Sequence, residues 1–196
     1  MLISAAILGW IGIGIMMLIA LTFPKLAKQN QFGFIHILMA LMYTMWLPLP
    51  LAMNSMIERE IAQVGMIFGL AYLIMMVVTM TLQTGHIIFA AKNKSGISSE
   101  HLMAMLSEPF ELMANILKCI WAIFLAVGFW SSGNFIMAWL MILFSLLIVY
   151  FFAMLLDRSL VKQIKILSKF KGNPYLFNLE TVGFFLALVI YSSISI

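Results

Sequence analysis

Residues 119–156 read CIWAIFLAVGFWSSGNFIMAWLMILFSLLIVYFFAMLL, a run without a charged side chain, interrupted only by the turn-forming Ser131, Ser132, Gly133 and Asn134. A helix rises 1.5 Å per residue, so about 20 apolar residues cross the roughly 30 Å of hydrocarbon in a bilayer. The run is therefore two crossings joined by a tight turn, near 110–130 and 135–156. Lipid offers no partner to an open strand edge, so the crossings are helices.

The same reading extends along the chain, with further spans near 2–23, 33–53, 61–86 and 175–196. The first span lacks a basic n-region and a small-residue cleavage site before Pro24, and is expected to be retained. Hydrophobic residues make up 64% and charged residues 9%, which water as the main solvent does not accommodate. The expected architecture is all-α, a polytopic membrane bundle of six transmembrane helices forming a single domain over 1–196. The halves differ in loop length and charge position, so no internal repeat is read.

Nine of the eleven basic residues lie in alternate connections: Lys25 and Lys28, then Lys92 and Lys94, then Arg158, Lys162, Lys165, Lys169 and Lys171. The positive-inside rule makes these connections cytoplasmic and puts both termini on the outer side of a plasma or bacterial inner membrane. Trp10, Trp46, Trp130 and Trp139 then fall where an outer aromatic belt belongs. Pro24 is expected to close the first span, and Pro48 with Pro50 to kink the second. Ser107, Glu108 and Pro109 resemble the start of the fourth, and Asn173 with Pro174 the start of the sixth.

Across 157–171, Leu160, Ile164, Leu167 and Phe170 share one helical face and Lys162, Lys165 and Lys169 lie opposite, which predicts a short amphipathic in-plane helix on anionic inner-leaflet lipids. It serves as a connector, or alternatively docks a partner. The net charge of +4 is too small and dispersed for a nucleic-acid protein. Cys119 stands alone and forms no internal disulfide. HExxH, GxSxG, a phosphate-binding glycine loop and CxxC are all missing from the sequence, which removes the residues of zinc proteolysis, elbow-type serine hydrolysis, nucleotide hydrolysis and dithiol exchange.

An ionisable group inside a span costs about 2.5–3.5 kcal/mol on insertion scales, so each needs water, a partner or a function. Glu108, Glu111, Asn115 and Lys118 fall on one face of the fourth span, Thr79, Gln83 and His86 align on the third, and Glu180 lies early in the sixth. Glu111, Asn115, Lys118, Gln83 and Glu180 could line a cytoplasm-facing polar vestibule for an ion, a proton or a polar substrate. Lys118 could instead snorkel to the interface. His36 and His86 could ligate haem, and these with His101, Glu108 and Glu111 a metal ion, although no spacing is diagnostic. Met76 with Met80 and Met137 with Met141 have the spacing for Cu(I), but also for ordinary packing.

These residues point to an integral membrane protein that is not an enzyme, either a subunit of a larger membrane assembly or a small transporter or channel. The subunit role, with other membrane subunits or copies of itself as partners, is favoured by how few polar groups fall near mid-membrane. The alternative is a membrane redox protein binding haem or metal, or a transferase with its site at the cytoplasmic interface. Fold analogy adds nothing, because six apolar helices serve many functions.

Overall fold

A computed structural model describes residues 1–57, 59–93, 97–160 and 164–196, with the side chains of 93, 97–108 and 174 set aside. Among the described residues, six helical stretches are long and apolar enough to cross a membrane: Leu2–Lys28, Phe32–Ile57, Glu60–Lys92, Pro109–Ser131, Phe135–Ser159 and Tyr175–Ile194. They are built from α1 (Leu2–Lys28), α2 (Phe32–Trp46), α3 (Pro48–Ile57), α4 (Glu60–Asn93), α5 (Ile97–Ser131), α6 (Phe135–Ser145), α7 (Ile148–Ser159) and α8 (Pro174–Ile194).

Two expected boundaries move. Helix α1 continues through Pro24 to Lys28, since a proline near a helix end costs a single backbone bond and Lys25 and Lys28 then favour the carbonyl end of the helix dipole. Helix α5 starts at Ile97 and runs through Pro109, so the 92–108 connection is mostly the ends of two helices. With 34 and 35 residues, α4 and α5 are longer than a bilayer crossing requires.

The second span breaks at Leu47 because Pro48 and Pro50 cannot donate backbone bonds. A second break, at Leu146 and Leu147 in the middle of the fifth span, has no proline or glycine behind it. There Ser145 Oγ donates back to the Ile142 carbonyl at 2.7 Å, competition of the kind that bends helices. The Phe144 carbonyl at this break accepts from Cys119 Sγ at 3.7 Å. The break therefore sits beside the fourth span.

Asn173 caps α8 as expected, its Oδ1 accepting from the backbone amides of Tyr175 at 3.0 Å and Leu176 at 3.3 Å. Asn173→Ala should cost about 1 kcal/mol, read as a lower unfolding temperature in detergent; an unchanged transition would mean that the cap contributes nothing. Residues 164–171 hold one 3-10 turn, Leu167–Lys169, tethered where Tyr150 donates to the Lys171 carbonyl at 2.6 Å. Lys165 and Lys169 are exposed there, while Lys162 lies outside the described residues.

The helices pack in a ring, α8 on α1, α1 on α2, α2 on α4, α4 on α5, and α5 on α6 and α7. Trp10 donates to Ser193 at 3.0 Å, joining the first and last spans near the end of the bundle that carries both termini. Aromatic side chains fill the centre. Trp46 departs from the expected belt: it is fully buried, stacked on Phe185 at 4.0 Å, and donates to the Gly9 carbonyl at 3.2 Å. Gly12 makes this possible, since a Cβ there would sit 2.7 Å from Cδ1 of the indole. Gly69 admits Trp121 in the same way, with its ring also 2.7 Å from the Cβ position. Trp10, Trp130 and Trp139 do face outward.

Candidate functional site

The sixth span returns beside α1, so it faces α5 across the interior of the ring. Side chains bridge that gap. Lys118 of α5 forms an ion pair and hydrogen bond with Glu180 Oε2 of α8, and also donates to Thr181 Oγ1 at 3.0 Å. The two charged side chains are 1% and 4% exposed, so both are closed off from solvent and lipid alike. Lys118 does not snorkel. Its Nζ lies 5.3 Å from the Tyr72 ring centre and 5.9 Å from that of Phe151, so α4 and α7 cover the pair with aromatic faces that attract the ammonium.

The pair lies deep. Lys118 is two residues short of the midpoint of Pro109–Ser131, a displacement of roughly 3 Å along the helix. Glu180 sits in the first half of Tyr175–Ile194, about one turn from its midpoint. The polar centre is thus nearer the middle of the bundle than the apolar pattern implies. Glu180 Oε1 and the Tyr72 hydroxyl are buried and have no hydrogen-bond partner among the described residues. Those two atoms are the oxygens of the site that the ammonium leaves unoccupied, since it already holds Glu180 Oε2 and Thr181 Oγ1.

A second polar station lies one to two turns toward the lysine-bearing end. Gln83 Nε2 donates to Glu111 Oε1 at 2.7 Å, and Asn115 donates to the Glu111 backbone carbonyl at 2.8 Å. Gln83 is fully buried and its Oε1 has no hydrogen-bond partner among the described residues. Glu111, Asn115 and Lys118 do share a face of α5, and this face connects the two stations. The side chain of Glu108 lies outside the described residues, as does that of His101.

Of the two described histidines, His36 lies near the start of α2 and His86 three residues beyond Gln83 on α4. His36 is half-buried and hydrogen-bonds from Nδ1 to the Phe32 carbonyl at 2.7 Å, which leaves Nε2 as its available ligand atom. His86 is buried near the end of α4. Among the described residues no group of three or more His, Cys, Asp or Glu gathers to hold a metal ion.

No known family model, curated protein or solved structure matches this sequence. The chemistry of the protein has therefore to be read from its own residues. Tyr72 and Thr181 are the members of the site that the sequence underrates, Thr181 with no signal except adjacency to Glu180. The Lys118–Glu180 pairing had one: both lie within ten residues of a span start at the same end of the bundle, so opposite charges reach similar depth.

Proposed function

We propose that the protein is a small membrane transporter that exchanges a monovalent cation for a proton at Glu180 and Lys118. The observation that carries this reading is a lysine–glutamate pair closed inside the bundle, beside a span that breaks at mid-length. Intramembrane ionisable groups are costly and mark ion pathways or proton relays, and interrupted helices accompany such sites in transporters.

Charge balance dictates the exchange. The pair is neutral as it stands, so a cation binding to Glu180 would leave a net positive charge in a low-dielectric interior. Release of a proton from Lys118 restores neutrality, and the resulting amine no longer competes for the carboxylate. Glu180 Oε1, Thr181 and Tyr72 supply further oxygens for the cation. Glu111 and Gln83, one to two turns closer to the lysine-rich and, by the positive-inside rule, cytoplasmic end, line the approach. The closed pair corresponds to an occluded state.

Proteoliposomes holding a pH gradient and an internal pH dye test this. Addition of sodium or potassium should dissipate the gradient with wild-type protein and fail to do so with Glu180→Gln. Lys118→Ala should uncouple cation movement from protons. A wild-type preparation that leaves the gradient intact with both ions overturns the proposal; stoichiometric partners retained on gentle extraction would then favour a subunit of a membrane assembly.

A further inference from the structure

Between the turn joining α1 to α2 and the end of α4 lies an open cleft of about 470 Å³, distinct from the ion-pair site and independent of its function. Its mouth carries Asn30, Gln31 and Lys92, and its walls include Phe34, Ile37 and Ile88. Asn30 marks the tight turn, with φ of +54°. Lys92 is exposed and, among the described residues, no carboxylate pairs with it. The groove is polar and positive at the end where Lys25 and Lys28 also fall, and apolar along the span below.

We infer that this cleft binds one anionic phospholipid, with its phosphate at Lys92, Asn30 and Gln31 and an acyl chain along Phe34, Ile37 and Ile88. Charge sets this groove apart from another of similar size. A cleft of similar size, about 440 Å³, lies between α6 and α8 but is lined by uncharged residues, which gives a headgroup nothing to recognise. An amide pair beside an ammonium supplies hydrogen-bond donors and a positive charge to phosphate oxygens, and an apolar floor suits the chain. Positively charged residues near a membrane surface each favour anionic lipid by about 1 kcal/mol, equivalent to about fivefold in affinity.

Native mass spectrometry of detergent-purified full-length protein, with phosphatidylglycerol and phosphatidylcholine of identical acyl chains, tests the site. One phosphatidylglycerol should be retained in preference to phosphatidylcholine. Lys92→Gln should reduce that preference about fivefold, and Ala91→Trp, which fills the cleft from an exposed position, should remove retention of either lipid. Equal retention of the two lipids, an undiminished preference in Lys92→Gln, or displacement by millimolar inorganic phosphate alone would overturn the inference.

Discussion

Lys118→Leu should destabilise the protein by about 3–5 kcal/mol, whereas Lys118→Leu combined with Glu180→Met should be close to wild type or more stable. The single change leaves Glu180 charged and without its cation in a site where its side chain is 4% exposed. The double change removes both charges together with the cost of keeping them out of water. Glu180→Met alone should resemble Lys118→Leu, because it abandons the ammonium between Tyr72 and Phe151. Equilibrium unfolding in bicelles gives the double-mutant cycle. Additive losses would mean that the two side chains do not depend on each other. The same set separates stability from transport: the double variant should fold well and carry no cation.

Trp46→Ala should cost about 3–5 kcal/mol, the range for deleting a buried large aromatic. In lipid the driving term is packing, since tails solvate apolar groups as well as the protein interior does. Trp46 contributes its stack on Phe185, an edge contact with Tyr43 at 5.7 Å, and the hydrogen bond to the Gly9 carbonyl. Its loss opens a cavity between α1, α2 and α8. Trp139→Ala serves as the comparison, because that ring is 61% exposed and its replacement should stay within about 0.5 kcal/mol. Similar losses for both would deny Trp46 its central position.

Much of this architecture is legible in the chain. The alternation of lysine-bearing and lysine-free connections marks six spans, and among the described residues there are six helical stretches of suitable length and apolarity. The cap at Asn173 and the break near Pro48 follow from local chemistry, as an acceptor side chain and a missing donor act within a few residues. Other features were less accessible. The break at Leu146 rests on a serine bonding back to its own helix, and serines do this in many helices without breaking them. The belt assignment of Trp46 failed because a tryptophan within a span turns inward when a facing glycine leaves room, and Gly12 lies 34 positions away.

The site follows the same division. Glu111, Asn115 and Lys118 align on one face because helical spacing is a local property, and the cost of charge in lipid singles them out in any packing. Whether Lys118 reaches headgroups or Glu180 depends on where α8 stands relative to α5, 62 residues along the chain. The number of stretches able to cross a membrane came from the chain alone, since a bilayer acts on length and charge one segment at a time. The pairing of Lys118 with Glu180 and Thr181 under Tyr72 and Phe151 needed three dimensions, because the distance between two helices is set by side chains that no single segment contains.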